Sequence, residues 1–312
     1  MPDKQTDKQI LHMLSPLKHV SPFDVNAALD AGYDAVVPYG AVTLDEVTGL
    51  VQDAMFSRPP KLGRRTGIFF AGKDALLALD MLARARAAMV PPFAVSLFAD
   101  PAGSFTTAAA MVAHAERALA RAGRGGIKGL RIAIFGATGV VGFASGVIAA
   151  LEGAAVTLVG HDGTARVGRA AAEIGRRFGV TPDAADGSTP AHIRDILQRV
   201  DAAFCAGRAG VRILDAAMLQ GAPNLLLVAD VNAVPPLGVE GLDVAADGAA
   251  LPNGTLGSGA PGSGALGIGA LAIGPTKSRT EAGLFRRMIA AEQPVTLDFR
   301  DAFALARDLV RG

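Results

Sequence analysis

The residues best suited to chemistry form a glycine turn, Gly136-Ala137-Thr138-Gly139-Val140-Val141-Gly142, directly behind the apolar β run Ile132–Phe135. A small-residue helix pattern follows to about Glu152, then a second β run, Ala155–Val159. Strand, glycine turn, helix and strand in that order bind a dinucleotide. Gly136 allows a sharp turn, Gly139 lets backbone approach a pyrophosphate, and Gly142 lets the helix pack near the strand. The helix start then offers N–H groups and a positive dipole end to the phosphates. A plain glycine turn would not need both flanking strands and the helix.

The choice of nucleotide is written where the second strand ends. An NAD-specific chain places an acid there for the ribose 2′-hydroxyl. Here the strand is followed by Gly160-His161-Asp162-Gly163. His161, assisted by Arg166, could face a 2′-phosphate, whereas Asp162 could take a ribose hydroxyl. The mixture predicts use of both NADP and NAD; the alternative is a polar turn without a ligand. Ala206-Gly207-Arg208, behind the strand Asp201–Cys205, is expected near the nicotinamide ribose. Asp230 and Asn232, behind the strand Asn224–Ala229, could bond the nicotinamide amide or orient the substrate, or form a polar turn before Pro235-Pro236. The glycine-biased stretch Gly254–Gly274 divides into a mobile half, Gly257–Gly264, and a buried half whose Gly267, Ile268 and Gly269 could lie close to a flat ring.

These turns need a scaffold, and the chain alternates β runs with helical patterns throughout. Gln9–Leu14, Asp34–Pro38, Thr66–Phe70 and Ala94–Ala99 read as strands. Ser21-Pro22 starts one helix, Thr43-Leu-Asp-Glu46 is a capping box opening another to about Phe56, and Asp74–Ala88 and Ser104–Ala122 read as two more. The alternation implies an α/β protein with parallel sheets covered on both faces. Gly123–Gly129 is the clearest linker. It predicts an N-terminal open parallel α/β domain over 1–125 and a Rossmann-type domain over 126–275. The C-terminal helices of 276–312, near Thr276–Ala291 and Asp301–Val310, are expected to pack back on the first domain and leave a cleft.

The composition narrows the classes. A length of 312 residues favours two domains, half of the residues are hydrophobic, and the net charge is +1 without a basic cluster, which argues against nucleic acid. Cys205 is the single cysteine, so no disulfide forms within the chain. The polar start lacks the apolar core of a signal peptide, and no apolar run reaches membrane-spanning length, so a cytoplasmic protein is expected. No His, Cys and carboxylate spacing suits a metal. Small apolar patterns such as Thr106–Ala120 would suit contact with another subunit, so a homo-oligomer is expected.

LHMLSPLKHVSPFDVN (Leu11–Asn26), FADPAGSFTTAAAMVA (Phe98–Ala113), FGATGVVG (Phe135–Gly142), VGHDG (Val159–Gly163), ADVNAVPP (Ala229–Pro236) and GIGALAIG (Gly267–Gly274) run in order along nearly the whole chain. Together they resemble the bacterial NAD(P)-dependent methylene-tetrahydromethanopterin dehydrogenases. The Gly257–Gly264 stretch looks longer than that family's pattern. The resemblance implies direct hydride transfer from the methylene pterin to NAD(P) in formaldehyde oxidation, giving the methenyl form. Pterin contacts would come from Ser15, Lys18, His19 and Phe23 behind the first strand. A second set would be Asp100, Ser104, Thr106 and Thr107 at the head of the long helix, with Asn232 and Lys277. Without the resemblance, Phe23 reads as a core residue and Ser104 as a helix cap. The chemistry needs no general base, so no residue but Lys277 is a catalytic candidate. No Lys–Asp or His–Asp pair of the kind that takes a hydroxyl proton is evident. The alternatives are a methylene-tetrahydrofolate dehydrogenase, a shikimate-type dehydrogenase and a nucleotide-sensing protein without turnover.

Overall fold

The structure is a computed structural model, and it describes residues 8–251 and 264–312. The first elements alternate strictly: β1 (Ile10–Leu14), α1 (Pro22–Ala31), β2 (Ala35–Tyr39), α2 (Val47–Phe56), β3 (Thr66–Phe70), α3 (Ala75–Ala87), β4 (Ser96–Ala99) and α4 (Ser104–Arg121). The second series is β5 (Arg131–Phe135), α5 (Val140–Leu151), β6 (Ala155–Gly160), α6 (Ala165–Phe178), β7 (Asp183–Asp186), α7 (Pro190–Leu197), β8 (Ala202–Cys205), α8 (Ala216–Gln220) and β9 (Leu227–Asp230). It closes with β10 (Asp247–Ala250), β11 (Leu266–Ile268), α9 (Ala270–Ala290), β12 (Thr296–Leu297) and α10 (Phe299–Arg311).

By contact the chain forms two compact units. Unit 1 comprises Met1–Thr106 with Ser278–Leu305, and unit 2 comprises Thr107–Lys277 with Ala306–Gly312. The divisions fall inside α4, α9 and α10. The glycine-rich stretch 123–129 lies within unit 2 and is tied into it: Ile127 is buried, and the Arg124 guanidinium donates to the carbonyls of Leu226 at 3.1 Å and Gly264 at 3.3 Å.

Unit 1 holds a five-stranded parallel sheet of order β12-β4-β3-β1-β2. The chain goes from β1 to one side and returns to the other, so the order reverses between β1 and β3, a switch point where open sheets bind ligands. The residues of β3 and β4 are all buried, as continuous apolar runs in a covered parallel sheet should be. Phe285 of α9 packs against Tyr33, Phe69 and Phe98 at centroid distances of 6.2, 5.4 and 5.4 Å. Burial pushes the Tyr33 hydroxyl well above its usual pKa.

Local signals explain most boundaries and one error. Ser21 Oγ accepts from the Phe23 N–H at 3.3 Å, and Asp74 Oδ1 accepts from Leu76 and Leu77 at 2.9 and 3.0 Å, capping α1 and α3. Thr43–Glu46 does not open α2. The Glu46 carboxylate bonds back to the Thr43 N–H at 2.7 Å and its hydroxyl at 2.8 Å, which closes a separate turn, and the helix starts at Val47. The small-residue face of α4 expected at a subunit contact is already buried in the chain, with Ala108, Ala109, Ala110 and Ala115 at 0% exposure.

Unit 2 holds a seven-stranded sheet of order β10-β11-β9-β8-β5-β6-β7. Counted from β5, its parallel strands have the Rossmann order 3-2-1-4-5-6, and β10 is added antiparallel at the edge. Arg307 of α10 binds the Glu116 carboxylate at 2.8 Å and also Glu152, fastening the chain's end to α4 and the foot of α5. Among the described residues no helix is long and apolar enough to cross a membrane.

Phe285→Ala should remove about 3–5 kcal/mol of stability, because it empties the centre of a packed aromatic cluster. Denaturant unfolding reads that loss, and Phe285→Leu should recover most of it.

Candidate functional site

In unit 2 a cavity of about 510 Å³ lies over the C-terminal ends of β5, β6, β7 and β8, at the point where strand order reverses. Its floor is the turn from β5 into α5. Gly136 has φ +77°, and a Cβ on it would sit 2.4 Å from the Ala206 carbonyl oxygen. A Cβ on Gly142 would sit 2.3 Å from the Gly136 carbonyl oxygen. Gly139 is the N-cap of α5 and has no side chain to satisfy the first-turn N–H groups of Val140, Val141 and Gly142. Those donors, with the helix dipole behind them, form an anion cradle. Ala137 is buried beneath it, and Thr138 and Gly139 are exposed.

Gly136, Thr138, Gly139, His161, Ala206, Gly207 and Arg208 all line this cavity, so the structure brings these expected residues together. Asp162 and Arg166 stand at its rim, where the Arg166 guanidinium reaches Asp162 at 3.2 Å and the Thr138 hydroxyl at 3.4 Å. The bond to Arg166 holds the exposed Asp162 carboxyl below the usual carboxylate range.

Gly187, Ser188, Ile193, Val211, Arg212 and Ile213 also line the cavity and were not anticipated. Gly187 and Ser188 follow β7, whose sequence Asp-Ala-Ala-Asp carries no apolar alternation to announce a strand. A Gly-Ser pair between two helical patterns was the available signal. Residues 213–214 pair with residues 238–239 and Arg212 Nε donates to the Leu237 carbonyl, which no local pattern shows.

Other expected residues are spent on the scaffold. Asp230 is 2% exposed; burial raises its carboxyl pKa, opposed by backbone N–H donors from Asn232, Val239 and Gly238. Burial and Asp230 together push the neighbouring Cys205 thiol up. Asn232 is also buried; its side chain accepts from Val234 N–H at 2.8 Å and donates to the Pro236 carbonyl at 3.2 Å. Gly267, Ile268 and Gly269 lie in or beside the inner strand β11, outside the cavity lining. Their need for glycine comes from the protein itself: a Cβ on Gly267 would meet Leu242 at 2.5 Å, and one on Gly269 the Val244 carbonyl at 2.3 Å. The mobile stretch expected at 257–264 lies outside the described residues but for Gly264. Lys277 is half-buried in α9, directly after Thr276, whose hydroxyl meets His114 Nε2 at 2.9 Å.

In unit 1 the loops behind β1 and β3 border the switch point. Ser15 is buried, and its hydroxyl accepts from the Leu17 N–H at 3.1 Å, shaping the loop from within. Lys18 and His19 are exposed on that loop, Lys73 is exposed on the loop behind β3, and Phe23 is 51% exposed at the head of α1. Asp100, Ser104 and Thr106 are buried. Asp100, not Ser104, caps α4: its carboxylate accepts from the N–H groups of Phe105 at 2.7 Å and Thr106 at 3.3 Å and from the Thr106 hydroxyl at 2.6 Å. Thr106, at 0% exposure, therefore faces its own cap, and Thr107 is half-buried beside it.

Comparison with known proteins fits this geometry. A family model described as methylene-tetrahydromethanopterin dehydrogenase, N-terminal, matches residues 22–102. The NAD(P)-dependent methylenetetrahydromethanopterin dehydrogenase of Methylorubrum extorquens is 51% identical over 302 residues, covering 97% of this chain and 99% of that protein. The bifunctional protein MdtA of the same organism is 33% identical over 77% of this chain and 82% of its own length. Among solved structures, shikimate 5-dehydrogenase from Listeria monocytogenes shares the fold, with a TM-score of 0.50 at 17% identity over 97% of this chain and 96% of that one. With identity at this level over nearly its full length, the chain belongs to the family of NAD(P)-dependent methylenetetrahydromethanopterin dehydrogenases.

Proposed function

We propose that the protein oxidises methylene-tetrahydromethanopterin to the methenyl form with NADP or NAD, in one-carbon (formaldehyde) oxidation. The observation that carries this reading is 51% identity to an enzyme of that name over 97% of the chain, in a structure whose glycine cradle suits a dinucleotide. In this reading unit 2 is the NAD(P) domain. The N–H groups of residues 140–142 hold the pyrophosphate, and His161, Asp162 and Arg166 sort the adenosine ribose. Residues 206–208 border the nicotinamide side. Unit 1 is the pterin domain, with Phe23 against the ring system and Lys18, His19 and Lys73 toward the acidic tail.

The methylene carbon lies between two nitrogens. Loss of hydride leaves a cation delocalised over N–C–N, and no O–H or N–H proton has to leave. Bound nicotinamide supplies the hydride acceptor. The chain's part is to bind, to orient and to exclude water. The polar groups of Asp100, Thr106, Asp230 and Asn232 fit that division, since they fix backbone and none has to act as a base. We further assign the enzyme to the cytoplasm and to a homo-oligomeric state whose contact is not the α4 face, since that face is buried within the chain.

Mixing the protein with NADP and methylene-tetrahydromethanopterin should produce the absorbance of reduced nicotinamide. Parallel runs with NAD and with the folate analogue rank the acceptors and the pterins. A flat trace from folded protein that binds NADP would sink the reading in favour of a sensor.

Arg166→Ala removes the cation that can trade Asp162 for a 2′-phosphate. It should raise the KM for NADP by about three- to tenfold, as expected for an exposed charge-assisted contact, and leave the KM for NAD nearly unchanged. Phe23→Ala should raise the pterin KM by about tenfold through lost stacking. Steady-state kinetics with each substrate varied in turn reads both effects, and the dinucleotide KM should not move in the Phe23 variant.

A further inference from the structure

Asp230 ends β9, points away from solvent and is absent from the cavity lining, yet its carboxylate holds the stretch that carries one cavity wall. Oδ1 accepts the Asn232 N–H at 3.0 Å and Oδ2 accepts the Val239 N–H at 3.2 Å. Gly238 has to be glycine for this contact, because a Cβ there would lie 2.9 Å from Asp230 Oδ2.

The same stretch grips the wall from its other side. The Gly238 carbonyl accepts the N–H groups of Ile213 and Leu214 at 2.8 and 2.9 Å, and the Leu237 carbonyl accepts Arg212 Nε at 2.7 Å. Glu240 pairs with the Arg212 guanidinium at 3.1 Å, and its N–H returns to the Leu214 carbonyl at 2.9 Å. Arg212 and Ile213 line the cavity. A continuous chain of bonds therefore runs from a buried carboxylate, through residues 237–240, to the surface that would meet a ligand.

We propose that Asp230 is a positioning residue for dinucleotide binding, acting through residues 237–240 on Arg212 and Ile213. The inference rests on the dinucleotide reading of the cavity. Two backbone N–H donors converge on one side chain, one on each oxygen, which only an acceptor on both oxygens can satisfy. Substituting an amide turns one acceptor into a donor facing donors, so the loop must move and the wall with it.

Asp230→Asn should weaken NADPH binding, read by fluorescence titration, about tenfold, with the dinucleotide KM rising in step and kcat kept within about twofold. Glu240→Gln changes an exposed group on the same stretch, keeps the fold intact, and should raise Kd about two- to threefold. Asp201→Asn is the control. It loses the Arg131 pair at the opposite ends of the strands and should lower Tm without moving Kd. If wild type binds NADPH and neither loop variant raises Kd by as much as about twofold, the positioning role is overturned. An equal rise in Asp201→Asn overturns it too, by showing a general effect of destabilisation. A wild type that does not bind sinks the cavity reading itself and takes this inference with it.

Discussion

Where β5 turns into α5 the backbone comes so close to its neighbours that side chains are excluded. Gly136 lies against the carbonyl of Ala206, and Gly142 lies against the carbonyl of Gly136. Any Cβ at these places would push the head of α5 away from β8. The crevice at the strand-order reversal, the aim of the first-turn N–H groups and the placing of Ala206–Arg208 all depend on that approach. Electrostatics follow from it, because a helix dipole acts strongly only within its first turn.

The polar residues at strand ends divide into two kinds, although in sequence they look alike. Thr138, His161, Arg208 and Lys18 reach the surface of their units. Ser15, Asp100, Thr106, Asp230 and Asn232 are buried and bond to nearby backbone. A turn at the C-terminal end of a parallel strand leaves donors and acceptors unpaired in a covered layer, and buried polar groups are costly unless bonded. The second kind answers that need, and by doing so it fixes the loops that carry the first.

This also explains what could be read in advance. Alternating apolar runs and helix patterns disclosed the parallel α/β class and most elements of the first half, because covered strands such as Thr66–Phe70 leave an unmistakable apolar string. The glycine turn was legible because its chemistry is local. Three things were not. β7, β10 and β12 are short edge strands whose sequences carry no pattern. The cavity wall at Arg212 and Ile213 is placed by bonds from residues 212–214 to residues 237–239, far along the chain. The glycines at 267 and 269 signalled a close approach, but the partner was the protein's own Leu242 and Val244, which sequence cannot distinguish from a ligand.

The sheet of unit 1 has an implication for how the protein is made. Its outer strand, residues 296–297, pairs with β4 at Leu97 and Phe98, and Phe285 fills its aromatic cluster. On the ribosome the first four strands emerge early, but the edge of β4 and the gap beside Phe69 wait for nearly two hundred further residues. The whole Rossmann sheet is synthesised in that interval. The unit that begins first thus waits for its outer strand until the Rossmann sheet has been made, and a nascent chain stalled before Phe285 would present an open strand edge and an unfilled aromatic pocket to chaperones.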